Sequence, residues 1–222
     1  MYNCFVGDIM GKVSIPKYTL GEEIVNAISH GVGAGLAIAA LVLLIIKANS
    51  AIGIVTGVIY ASIMIILYVI SCIYHSLSPK LKGKKVLRVM DHCNVLLMVA
   101  GTYTPICLSL LGGGLGWTVF GIVWAVTILA VALNCIDIDR YNKLCLACNL
   151  LLGWAALIII EPLIDTCPIN GLYLLIGGGI VYSIGAILYA IGRKKRYMHS
   201  IFHFFVVGAS ILHFFMIYLY VV

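Results

Sequence analysis

Apolar runs of roughly 17 to 24 residues, separated by short polar and charged clusters, recur from one end of the chain to the other. Seven can be drawn, at 24–46, 51–74, 91–111, 115–135, 144–160, 171–192 and 200–222, the fifth being the shortest. Crossing the roughly 30 Å hydrocarbon layer of a bilayer takes about 20 apolar residues as a helix. Each run therefore predicts a membrane-spanning helix. The predicted fold is all-α, a seven-transmembrane helix bundle over 24–222 preceded by a polar segment, 1–23.

Composition agrees with the pattern. The chain is 63% hydrophobic and only 10% charged, whereas a soluble domain is nearer a quarter charged. Residues 1–23 carry Asp8, Lys12, Pro16, Lys17, Glu22 and Glu23 and do not read as a signal peptide. The net charge of +6 does not point to nucleic acid, because the basic residues cluster between apolar runs. Thirteen of the 14 Lys and Arg fall before the first run or after the second, fourth and sixth, against Lys47 alone on the other side. Cytoplasmic loops carry that excess, which predicts a cytoplasmic amino terminus and an extracellular carboxyl terminus. Most of the eight cysteines lie in or beside apolar runs and read as small packing residues, Cys145 and Cys148 included.

Ionisable groups inside a membrane segment are costly, so each one needs a reason. The second run ends in SCIYHS, with Ser71 and His75 four residues apart, and the seventh opens on HSIFH, with His199 and His203 four apart. On a helix that spacing is about 40° of rotation and 6 Å of rise, so each pair shares a face. The predicted topology brings His75, Asp91, His199 and His203 to the cytoplasmic leaflet. Three imidazoles from two helices form the ligand set of an open zinc site, where a bound water loses its proton near neutral pH and a carbonyl is polarised. Asp91 would act as general base or orient an imidazole, and Ser71 would donate to the water or to an oxyanion. The bland alternative is a set of interfacial polar residues capping helix ends.

Other residues carry less. His30, four residues after Asn26, reads either as a support to the site or as a buried histidine bonded to a neighbouring helix. His213 lies about 15 Å outward of His203. His92 points about 100° away from Asp91 around its helix. Glu22 and Glu23 either cap the first helix or close over the site, and Glu161, Pro162 and Asp165 read as a solvated loop. Gly31, Gly33, Gly35 and Gly177 to Gly179 read as helix-packing surfaces. Pro105 predicts a kink in the third helix, with Thr102 or Thr104 answering the freed carbonyl.

The ordered set EEIVNAISHG, Ser71 to His75, DHCNVLLMVAGTYTP, and His199 to His203 followed by GASILHFF resembles the bacterial hemolysin III proteins. These are related to the progestin and adiponectin receptors. The resemblance covers nearly all of the chain from Glu22 onward. It implies seven helices with a cytoplasmic amino terminus, zinc on His75, His199 and His203, Asp91 near the zinc-bound water, and Ser71 beside them. It also implies hydrolysis of a lipid amide such as ceramide, in a bacterial plasma membrane.

Three functions follow as expectations. The first is a zinc-dependent hydrolase acting on lipid amides or esters, with membrane lipids as partners and substrate. The second is a non-enzymatic receptor or membrane-state sensor in which zinc is structural. The third is a membrane-permeabilising cytolysin, suggested by the family name alone and poorly matched to a chain with almost no soluble portion.

Overall fold

The computed structural model describes residues 13–192 and 195–222. Among these are seven helices long and apolar enough to cross a membrane. They are α1 (Leu20–Lys47), α2 (Ala51–Ser76), α3 (Gly83–Leu111), α4 (Gly113–Ile136), α5 (Ile138–Thr166), α6 (Ile169–Gly192) and α7 (Met198–Tyr220). No strand occurs among the described residues.

Polar first turns move several helix starts ahead of their apolar runs. Thr19 Oγ1 accepts from the backbone N–H of Glu22, and the Glu22 carboxylate accepts from that of Thr19, a reciprocal cap that starts α1 at Leu20. Ser50 caps α2, and Asp137 caps α5 by accepting from Arg140 N–H. The largest correction is to α3, which begins at Gly83 and not 91. Its added turns bury Lys84 and Arg88, residues that no search for apolar runs would include. Arg88 reaches Asp139 at 2.8 Å and the Ser14 carbonyl at 2.7 Å, so its charge is paired and α3 is tied to the start of α5. A second correction is at Glu161, Pro162 and Asp165. They lie within a helical turn, Ile160–Thr166, that completes α5 after a 3-10 stretch over Ala155–Ile159. Proline is tolerated in the first turn of a helix, where its missing N–H has no intrahelical acceptor.

Pro105 interrupts α3 as expected, and the chain continues as a π-helix over Ile106–Leu111. The nearby threonines do not answer the freed carbonyl, however. Thr102 and Thr104 donate to the carbonyls four residues back, Met98 and Ala100. Gly112 and Gly113, with φ of 61° and 57°, make the turn into α4 in a region that L side chains rarely adopt.

Neighbours in sequence pack as neighbours in space, α7 returns to lie against α1, and α3 also touches α5. The outer surface is aliphatic: Ile46 is 76% and Ile158 86% exposed. Polar groups face inward, where lipid cannot hydrogen-bond them and protein must. Tyr60 and Tyr68 on α2 are buried, and their hydroxyls donate to the Ser210 and Val206 carbonyls of α7. These long side chains link α2 to α7, the two helices that carry the histidines, and α1 packs against both.

Candidate metal centre

Ser71 and His75 occupy the last two turns of α2, and His199 and His203 the first two of α7. The antiparallel packing of these helices brings both ends to the side of the bundle that holds Lys80, Lys82, Lys195 and Arg196. All three histidines are buried, and one ring nitrogen from each can be chosen so that all lie within 4.8 Å of one another. The Nε2 atoms of His199 and His203 are 3.1 Å apart. Ligand nitrogens about 2.0 Å from a tetrahedral zinc are separated by roughly 3.3 Å. His75 Nε2 is buried without a hydrogen-bond partner among the described residues. Buried polar atoms are ordinarily satisfied, so a donor set of this spacing with an orphaned imidazole nitrogen fits a metal ion. Neutral imidazoles also suit iron, nickel and copper, and the donor set does not choose among these and zinc.

Asp91, in the third turn of α3, lines the same two cavities as His199. Ser71 itself is fully buried. The structure brings the three histidines together, with Asp91 bordering His199 and Ser71 one turn ahead of His75. His213 stays apart as expected, its Nε2 donating to the Leu175 carbonyl at 3.1 Å; His92 is not one of the three clustered imidazoles but borders them, its ring packing against Tyr189, which also meets His199.

Three neighbours complete the surroundings: His30 and Glu23, for which the sequence left two readings each, and Tyr18, which it did not single out. His30 stacks on His203, with centroids 3.8 Å apart, and meets Tyr68 edge-on. Neither of its ring nitrogens has a hydrogen-bond partner among the described residues, so it packs onto the cluster and is not bonded to a neighbouring helix. Tyr18, just ahead of α1, stacks on His199 at 5.0 Å. Burial, followed by the Tyr189, Asp91 and Glu23 groups, raises its phenol well above the ordinary range, so it stays neutral. Glu23 accepts from His75 Nδ1 at 2.6 Å and pairs with Lys84. Of the two adjacent glutamates, Glu22 caps the helix and Glu23 closes on the site. A rotation of about 100° separates their tasks: Glu22 faces back toward Thr19 and Tyr197, Glu23 faces inward.

Two cavities border the cluster on its His199 side. A narrow, mostly apolar one of about 150 Å³ runs through the bundle interior between α3, α5, α6 and α7, from Asp91 and His199 past Leu96 and Phe202 to His213. A wider polar recess of about 960 Å³ is lined by Lys17, Tyr18, Arg88, Asp139 and Arg196. Asp91, His92, Tyr189 and His199 line both.

A sequence profile described as haemolysin-III related matches residues 18–214. The chain belongs to this family. It is 39% identical over 203 residues to Hemolysin-3 of Bacillus cereus, covering 90% of this chain and 92% of that one. It is 40% identical over 208 residues to a Hemolysin-3 homolog of Bacillus subtilis (strain 168), covering 92% and 97%. A more distant likeness, 24% over 177 residues, links it to the human monocyte to macrophage differentiation factor, covering 75% and 70%. That protein belongs to the progestin and adiponectin receptor family. With seven apolar spans, this haemolysin-III-related chain is a multi-pass protein of the cell membrane.

Proposed function

We propose that this haemolysin-III-related protein is a zinc-dependent hydrolase of lipid amides or esters, with its amino terminus and metal centre on the cytoplasmic side. One observation carries the reading. His199 of the buried three-histidine cluster and Asp91 line both an apolar cavity inside the bundle and a polar recess. A lipid cleaved at its linkage has an apolar chain to shelter and needs water at the bond, and this site offers both. His75, His199 and His203 would hold the ion. Zinc, when bound, supplies Lewis-acid polarisation of the scissile carbonyl and acidifies a water. Asp91 takes the proton of the attacking water on its carboxylate and returns it to the leaving amine or alcohol. Ser71 donates its hydroxyl hydrogen to the oxygen that gains charge. The basic-loop asymmetry supports the cytoplasmic placement.

The test pairs metal content with turnover. Purified protein is expected to carry about one zinc per chain, lost in His199→Ala/His203→Ala, and to release fatty acid from an N-acyl lipid amide. Asp91→Ala is expected to keep its zinc and its fold while losing turnover. Undiminished turnover in Asp91→Ala refutes the mechanism. Bound zinc with no lipid cleaved across a panel of amides and esters favours instead a structural metal that pins α2 to α7.

A further inference from the structure

Among the described residues, His75 alone of the three histidines pairs with a carboxylate. Its Nδ1 lies 2.6 Å from Glu23 Oε2, and Asn26 Nδ2 is farther from the same atom at 3.3 Å. An ionised carboxylate only accepts hydrogen bonds. The hydrogen of the neutral ring must therefore sit on Nδ1, and the lone pair on Nε2, the nitrogen that has no partner among the described residues.

Glu23 is in turn held from behind. Its other oxygen pairs with Lys84 Nζ, which also donates to the Leu77 carbonyl at 2.8 Å and lies over the Tyr74 ring. The Lys84 side chain is fully enclosed and that of Glu23 is 13% exposed. A charge buried so far from water must be paired. The pairing balances the Glu23 charge and joins α1, α2 and the start of α3 around one imidazole.

We propose that Glu23 is a positioning residue of the metal centre, setting the tautomer and ring orientation with which His75 offers Nε2 to the ion, and that Lys84 is its fixed counter-charge. The proposal rests on reading the cluster as a metal site. It separates two roles that a plain ion pair would not separate. If the pair served only to hold helices together, removing either partner would do the same thing. If Glu23 orients His75, removing Glu23 weakens metal binding, whereas removing Lys84 leaves the Glu23–His75 contact in place and chiefly lowers stability.

The experiment measures cobalt(II) and zinc affinity by chelator competition, the cobalt d–d absorption spectrum, and thermal unfolding in detergent. It is run on the full-length protein and on Glu23→Gln, Lys84→Met and the double variant. Loss of a carboxylate behind a metal-bound histidine typically costs 10- to 100-fold in metal affinity. That range is expected for Glu23→Gln, with a changed cobalt spectrum, and Lys84→Met is expected within about threefold of wild type. The double variant buries no unpaired charge. It is expected to unfold at a higher temperature than Lys84→Met while keeping the affinity defect of Glu23→Gln. Equal affinity and an unchanged spectrum in a folded Glu23→Gln or double variant overturn the proposal while the metal site stands. Equal affinity losses in Glu23→Gln and Lys84→Met also overturn it, in favour of the ion pair as mere scaffold. Wild type that takes up neither metal removes the metal centre itself, and the role of Glu23 with it.

Discussion

Gly178 and His213 form a contact whose energetic sign can be reversed on purpose. A Cβ built on Gly178 of α6 would run into the His213 imidazole of α7, whereas one built on Gly35 of α1 meets nothing within 4 Å. Gly178→Ala must therefore displace a buried ring that donates to the Leu175 carbonyl. Crowding a packed interior costs about 1–3 kcal/mol, and leaving the buried imidazole unpaired about 1–3 kcal/mol more. Exchanging glycine for alanine inside a helix returns about 1 kcal/mol. The net expectation is a loss of about 1–5 kcal/mol for Gly178→Ala. In a His213→Ala background the ring is gone and only the helix term remains, so the same substitution should stabilise by up to about 1 kcal/mol.

The assay is a double-mutant cycle read by thermal or chemical unfolding in one detergent, with Gly35→Ala as the control that gains in both backgrounds. Because the prediction is a change of sign, it survives uncertainty in either cost. If Gly178→Ala destabilises equally with and without His213, the ring contact is not the reason glycine stands there.

Three further expectations follow. Zinc at a hundredfold over its Kd should stabilise the wild type by about 2.7 kcal/mol, or roughly 5–11 °C for a chain of this size. Differential scanning fluorimetry should show no such shift in His199→Ala/His203→Ala, and a flat wild-type response would count against the site. Thr19→Ala, which removes one half of the reciprocal cap on α1, should cost about 0.5–2 kcal/mol in thermal unfolding, with Thr19→Ser close to wild type. Arg88→Met releases both the Ser14 carbonyl and Asp139. Limited trypsin digestion should then cut after Lys17 several-fold faster, and an unchanged rate would show that the segment is held by something else.

The number of spans was legible because hydrocarbon thickness imposes a length that composition alone reveals. Helix starts were not, because lipid exposure and helix formation are separate requirements. Residues 83–90 are too polar to be counted as a span, yet they are helical because Arg88 and Lys84 find acidic partners on α5 and α1. The glycines show the same limit. GAG in α1 and GGG in α6 read alike as packing faces, but Gly33 lies against the Tyr68 ring, Gly178 against His213, and Gly35 against nothing. Which glycine matters depends on the side chain across the interface, and that is a property of the fold.

The candidate site divides along a similar line. His75, His199, His203, Asp91 and Ser71 could be gathered because helical spacing and alternating topology place them at one depth, a one-dimensional argument that needs no knowledge of which helices touch. Glu23 and His30 required that knowledge. Glu23 is 52 residues from His75 and 61 from Lys84. Its neighbour Glu22 has the same charge and the same depth, and spends its carboxylate on Thr19 and Tyr197. Only the 100° between adjacent helical residues, together with the packing of α1 beside α2, sends one glutamate to the cap and the other to the histidine. A reading by depth finds the groups that can bind an ion. Those that hold them in position are found by rotation about the helix axis, which the alternation of spans leaves undetermined.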